Sequence, residues 1–410
     1  MHLLGTDARL LLVLKWTVRT VIGALLLIPV VLVFHAGLYD SFVDNVLSGW
    51  GMWGTFIIHL SSRPKRGEVT VTVVFGLVLR LAYDLAIGEK GYPGSALIGM
   101  GVFLGLASLV VLLIRAVGAP NDRSPMVRRA LAVIAIFNYI GVSLSLYISF
   151  ARWARPVKLD YLLYTFDGSL GFQPAFKLAQ LVRASATMTW IEVMIYNSFG
   201  LWFCLIYAAH ARYNGKFPFD ILRLFVSNAF IGFSLFFVFP AMGPKYAFPT
   251  FPELPLAVHP APVVMDGFPN AIPSLHFGGA LLIFWMARPW KWLRIATGTF
   301  LVLTAVATMA LGEHYLVDLV VAVPYALAIL AFSAKVPDRN LPLISGGAMV
   351  ASWLGILYAG GTPRFAAWLL IVATIALSYF LERRLAAKLW LTQPAESSVD
   401  QPSPMVPLPG

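Results

Sequence analysis

Apolar stretches of about 20 residues recur along most of this chain, each long enough to cross a bilayer core of ~30 Å. That repetition limits the fold more than any single motif, because it makes the chain a polytopic integral membrane protein. Composition agrees: 59% of the 410 residues are hydrophobic and 12% are charged, where a soluble chain of this length carries roughly a quarter charged residues. The formal net charge of +11 does not point to nucleic acid, since no basic run sits on a soluble face. In a membrane protein such an excess belongs in cytoplasmic loops and against anionic lipid. The one cysteine, Cys204, lies inside an apolar stretch, so no intramolecular disulfide and no cysteine-built metal site can form.

Apolar windows predict spans near 18–36, 69–88, 95–117, 129–150, 188–210, 218–239, 272–288, 291–311, 315–334, 343–360 and 365–382, with a weaker one at 42–60. The first follows Arg9, Lys15 and Arg19, but no small-x-small cleavage site stands at His35-Ala36-Gly37, so it reads as a span and not a signal peptide. Loop charges fix the orientation. Arg63, Lys65 and Arg66, then Arg115, Arg123, Arg128 and Arg129, then Arg212 and Lys216 fall on one side. Arg288, Lys291 and Arg294, then Lys335 and Arg339, then Arg383, Arg384 and Lys388 fall there too, the cytoplasmic side by the positive-inside rule. Placing the N-terminal cations there as well makes 42–60 cross. The expectation is an all-α bundle of about 11–12 transmembrane spans with both termini inside.

Residues 151–187 fit less simply, because they are assigned outside yet hold Arg152, Arg155, Lys158, Lys177 and Arg183. Leu162, Leu163 and Phe166 recur at helical spacing before Gly168 and Gly171, which suggests an amphipathic element on the outer surface. From about 393 the chain is rich in Pro and Ser, a disordered tail by composition.

Two of the seven histidines carry the candidate chemistry. His276 in Pro273-Ser274-Leu275-His276 and His314 in His314-Tyr315-Leu316-Val317-Asp318 both sit at mouths of spans. One span separates theirs, so two crossings return the chain to the same face, and loop charge makes that face extracytoplasmic. Asp318, four residues after His314, lies on the same helical face. It can fix one imidazole nitrogen as a donor and leave the other as an attacking lone pair. Ser274, near a helix N-terminus, offers a hydroxyl beside free backbone N–H groups, a cradle for an anion. His276 can protonate a departing alkoxide. Lys245, on the Pro- and aromatic-rich loop before Pro273, supplies a cation, and Tyr315 is a candidate substrate contact. Together these describe phosphoryl transfer through a phosphohistidine, a chemistry that requires no metal and no cofactor.

Those residues carry a resemblance. Pro273-Ser274-Leu275-His276 followed by Leu311-Gly312-Glu313-His314-Tyr315-Leu316-Val317-Asp318 resembles the type-2 phosphatidic acid phosphatase and haloperoxidase superfamily. The leucine between Ser274 and His276 and the His-Tyr-x-x-Asp form are similar to the branch of inositol phosphorylceramide synthases, the inositolphosphotransferases of sphingolipid synthesis. The resemblance covers about 155–335 and implies a six-helix core. It implies His314 as nucleophile, Asp318 as its orienting acid, His276 as general acid and Ser274 as a phosphate ligand. Two departures stand out. Ala307 and Thr308 replace the Ser-Arg pair of the phosphatase pattern, and its upstream Lys-x6-Arg-Pro element is absent, so Arg155, Lys158 or Arg183 are candidates for the missing cation.

The chain thus divides into N-terminal membrane helices (1–150), a phosphatase/phosphotransferase-like catalytic core (151–335), C-terminal membrane helices (336–392) and the tail (393–410). The partners expected are a phospholipid or lipid-phosphate substrate and the surrounding membrane lipids. A lipid phosphate phosphatase is the nearest alternative. A transporter or flippase is the alternative from another class, for which Arg80 and Asp84, four apart in one span, would be the relay. Glu192, about one turn into its span, is within reach of either the interface or the site.

Overall fold

The structure is a computed structural model that describes residues 46–87, 96–118, 124–213, 219–255 and 261–391. The expected first span at 18–36 and the tail from 393 lie outside the described residues. Within them the chain is almost wholly helical: α1 (Val46–Ser61), α2 (Arg66–Ile87), α3 (Ala96–Gly118), α4 (Ser124–Ala154), α5 (Asp160–Ser169), α6 (Pro174–Arg183), α7 (Ala186–Asn197) and α8 (Phe199–Arg212). Then follow α9 (Ile221–Val238), the single turn α10 (Pro244–Ala247), α11 (Leu275–Met286), α12 (Lys291–Ala310), α13 (Leu316–Ser333), α14 (Asn340–Ala359) and α15 (Arg364–Leu391). One antiparallel pair of two-residue strands, β1 (Val157–Lys158) and β2 (Val263–Val264), interrupts the helices.

Seven of these helices, α3, α4, α9, α12, α13, α14 and α15, are long and apolar enough to cross a membrane. The expected span at 188–210 is instead two helices, α7 and α8, bent by 45° at Ser198; counted as one broken span, the pair makes eight. Three further expected spans are helices that do not reach the length or apolarity of a span. α1 has 16 residues, α2 carries Arg66, Glu68, Arg80 and Asp84, and α11 has 12 residues, roughly 18 Å at the usual rise. The result is an all-α polytopic bundle with fewer full-length spans among the described residues than the apolar windows suggest.

Local chemistry sets the ends that matter for the site. α5 buries Leu162, Leu163 and Phe166, the residues its periodicity singled out, and the chain leaves it through Gly171 at φ +96°, a conformation open to glycine. Pro174 begins α6 at a position where its missing N–H costs nothing. Ser185 caps α7 by accepting from the Met188 amide at 3.4 Å. The core helices α11 and α13 pack on each other, with α12 across α11 and α9 against α13. α12 is flanked by α6 and α7, while α14 and α15 cover the far side of α13. α1 packs between α3 and α8, so the N-terminal helices join the core along the broken span.

Candidate active site

The site forms where the start of α11 meets the turn between α12 and α13. α12 ends by folding Leu311–Tyr315 back on itself: the amides of Glu313 and His314 both donate to the Thr308 carbonyl, at 3.0 and 3.1 Å. Gly312 at φ +77° makes that reversal possible. The turn delivers His314, 3% exposed, to the head of α13. Its Nδ1 stands 3.4 Å from Asp318 Oδ2. The contact is long, and Nδ1 has no aligned hydrogen-bond partner, as is common for catalytic pairs before substrate tightens them. Asp318 Oδ2 also accepts from the Tyr315 amide at 2.8 Å, so the acid is held by the backbone it caps.

α11 begins at Ser274, which is fully buried and caps the helix by accepting from the Phe277 amide at 3.3 Å. The Ser274 amide donates to the Asp318 carbonyl at 3.3 Å. The structure therefore brings His276, one residue into α11, to the same end of the bundle as His314. The His276 ring is stacked on Tyr196 of α7, with centroids 4.0 Å apart and planes 19° apart, and Phe199 lies 5.3 Å away. This wall from the broken span was not legible in the histidine motifs.

Lys245 lies in the loop that carries α10. Its amide donates to the Gly312 carbonyl at 2.9 Å, and its Nζ is 3.6 Å from Glu313 Oε1. Tyr246 Oη donates to the same carboxylate at 3.0 Å. The loop and the His314 turn meet so closely that a Cβ on Gly243 would come within 2.3 Å of the Glu313 carbonyl oxygen. Tyr315 is placed differently from expectation. It is fully buried and its hydroxyl donates to Asp160 Oδ1 at 3.1 Å, which makes it a strut under the turn that bears His314 rather than an open surface. Two of the other candidate cations, Lys158 and Arg183, are engaged as well. Lys158 is buried with its Nζ donating to the Arg155 carbonyl, and Arg183 donates to the Phe251 carbonyl at 3.2 Å while covering that ring. Thr308, at the position of the missing arginine, is buried with its hydroxyl turned to the Ala305 carbonyl at 3.2 Å.

Two acids of α5 complete the arrangement, and neither stands out in the sequence. Asp160 accepts from the Met242 and Gly243 amides, at 3.0 and 2.9 Å, and from Tyr315. Asp167 accepts from the first amides of α13, Leu316 at 2.7 Å and Val317 at 3.1 Å. One short helix thus grips both the Lys245 loop and the turn that bears His314. The two carboxylates, seven residues apart, fall on one face of α5, a spacing that by itself marks no partner.

Burial governs the charge states outside the spans. It holds the His314 imidazole down to about 4, against the opposing charge of Glu313 and a hydrogen bond with the Ala271 backbone, so the ring is neutral at pH 7. Burial likewise raises Asp160 to about 6 and Asp167 to about 8, although backbone N–H groups favour both carboxylates. Among the described residues no three His, Cys, Asp or Glu side chains are grouped to hold a metal.

A family model described as the PAP2 superfamily matches residues 162–332, a stretch that contains both histidine motifs, the Lys245 loop and helices α6 to α13. No curated protein and no solved structure matches the chain. A PAP2 superfamily domain over these residues supports an enzyme, a phosphatase or phosphotransferase, with a lipid phosphate as its general class of substrate.

Proposed function

We propose that this membrane enzyme is a lipid phosphotransferase that works through a phosphohistidine on His314, with an alcohol as the acceptor, as in the inositolphosphotransferases whose motif it resembles. The pairing of His314 Nδ1 with Asp318 Oδ2, 3.4 Å apart on a turn bonded to the Ser274–His276 motif, carries the reading. In the first half-reaction the neutral Nε2 lone pair of His314 attacks phosphorus. The bond from phosphorus to the leaving oxygen breaks, and His276, which burial holds down to about 3 and which therefore takes up its proton only beside the bound phosphate anion, delivers that proton to the leaving oxygen. Asp318 holds the Nδ1 proton and stabilises the charge on the phosphorylated ring. In the second half-reaction the acceptor hydroxyl gives its proton to His276 and attacks phosphorus, and the P–N bond breaks. The head of α11, shaped by the Ser274 cap, and Lys245 are the groups assigned to the equatorial oxygens. By the loop charges, this site opens on the extracytoplasmic side.

Charge favours a diester donor. A phosphomonoester dianion needs more than one cation, whereas Thr308 is buried in the arginine's place and Lys245 is shared with Glu313. A phosphodiester, with a single negative charge, suits one lysine and a helix N-terminus. The test is product analysis by mass spectrometry of the purified protein with a panel of phospholipids, with and without alcohol acceptors. Exchange of headgroup that depends on His314 supports the transferase. Release of free phosphate from phosphatidate, unaffected by acceptors, identifies a phosphatase in its place. Identical behaviour of wild type and His314→Ala across the panel would falsify both and leave the transporter reading.

A further inference from the structure

The acid Glu192 has no place in the chemistry above, yet the fold puts it beside that chemistry. It is 6% exposed and its Oε2 has no hydrogen-bond partner. A buried carboxylate without a donor is costly, and it persists where a ligand supplies the donor. On α7, Glu192 stands four residues before Tyr196, so the two share a helical face. Tyr196 is the residue stacked on His276. The same helix packs on α12, and the second half of the broken span meets α12 where Trp202 stacks on Phe300 at 4.9 Å. Two turns further along α12 from Phe300 comes Thr308, with no charge to offer the acid. Tyr196 is also within electrostatic reach of Glu313 and Tyr246. The wall beside His276 is therefore Tyr196 and Phe199, with Glu192 one turn before Tyr196 on the same helical face and Tyr246 within electrostatic reach of the Tyr196 phenol.

We propose that Glu192, with Tyr196 and Tyr246, forms a subsite that binds the hydroxyl groups of a neutral polyol next to His276. A carboxylate accepts hydrogen bonds only, while phenols both donate and accept, which matches neighbouring hydroxyls. A cationic headgroup suits the wall less well. The Lys245 ammonium already lies 5.1 Å above the Tyr246 ring and pairs with Glu313, so a second cation there meets repulsion. The polyol is either the headgroup of a donor lipid or a free acceptor. The inference rests on the phosphotransfer reading for its purpose, but the binding can be measured without turnover.

The experiment is equilibrium binding to the full chain in nanodiscs, in the His314→Ala background so that nothing is consumed. The probes are short-chain phospholipids with a glycerol headgroup, an ethanolamine headgroup or none (phosphatidate), and free glycerol. The glycerol lipid is expected to bind more tightly than phosphatidate, and Glu192→Gln to lower that ratio at least about tenfold, the effect of losing one hydrogen bond to a charged group. If free glycerol competes, the subsite takes the acceptor; if only the lipid responds, it takes the donor's headgroup. Equal affinity for the glycerol lipid and phosphatidate overturns the proposal before any Glu192 variant is needed. So does an equal loss with all three lipids, or a loss confined to ethanolamine. Turnover of wild type against His314→Ala is scored separately, so failure of the phosphotransfer chemistry is distinct from failure of the subsite.

Discussion

The Ser274 amide donates to the Asp318 carbonyl at 3.3 Å, so the two histidine motifs, about 40 residues apart in the chain, are joined main chain to main chain. Side chains are free to change around such a bond without separating His276 from His314. The geometry of the pair therefore belongs to the fold, and its chemistry belongs to the side chains, which can be removed one at a time.

Asp318→Asn isolates the orienting role. An asparagine Oδ1 can still accept from the Tyr315 amide, so α13 keeps its cap. The tautomer of His314 is no longer enforced, and turnover should fall on the order of 10²–10⁴-fold, as for other histidine–acid pairs. The melting temperature in nanodiscs should stay within a few degrees of wild type. A large loss of stability with little loss of rate would assign Asp318 to the fold alone.

The charge state of His314 sets an acid limit for the first half-reaction. Burial holds its pKa to about 4, below the ordinary 6.5, so the lone pair is present throughout the neutral range. Quenched-flow yields of phosphohistidine should therefore stay level down through pH 6 and decline only near pH 4. A half-maximum at pH 6.5 contradicts this.

Asp167 gives the protein a stability that depends on pH in an uncommon direction. Burial raises its folded pKa to about 8 from 3.8, so the folded state holds the proton more tightly. That contribution is complete below the unfolded value and is lost as pH rises through about 8. The melting temperature of wild type should fall from pH 5 to pH 8.5, and that of Asp167→Asn should fall less. Asp167→Ala, which orphans the Leu316 and Val317 amides, should cost roughly 1–3 kcal/mol per orphaned group at any pH. Parallel slopes for wild type and Asp167→Asn refute the assignment.

Lys245→Ala tests the cation. The side chain is about half exposed and its pair with Glu313 is long, so stability should change by less than ~1 kcal/mol. Its loss from the phosphate should lower kcat/KM on the order of ten- to a hundredfold, with Lys245→Arg recovering part. Unchanged kinetics in Lys245→Ala would remove it from the site.

The meeting of the two histidine motifs was readable because it depends on short spacings: four residues from His314 to Asp318, two from Ser274 to His276, and a parity of crossings between them. Asp160 and Asp167 were not, because most of their partners are backbone amides 82 to 150 residues away, which no side-chain pattern marks. Tyr315 was expected as a substrate contact because its buried partner, Asp160, is equally distant in the chain. The break at Ser198 escaped for another reason. Apolar windows measure composition, and α7 and α8 together have the composition of one span although they turn by 45° between them. That turn places Tyr196 on His276, so the part of the site hardest to foresee came from a bend.

The contact between Gly243 and Glu313 has a bearing on traffic. A seam with no room for a methyl group has none for a phosphate, and Asp160 fastens the same loop from beneath. If headgroups reach His276, that seam leaves the flank lined by α7 as the side from which we expect them. The wall that we assign to selectivity is in that case also the doorway, and a residue such as Glu192 would inspect each molecule on its way in.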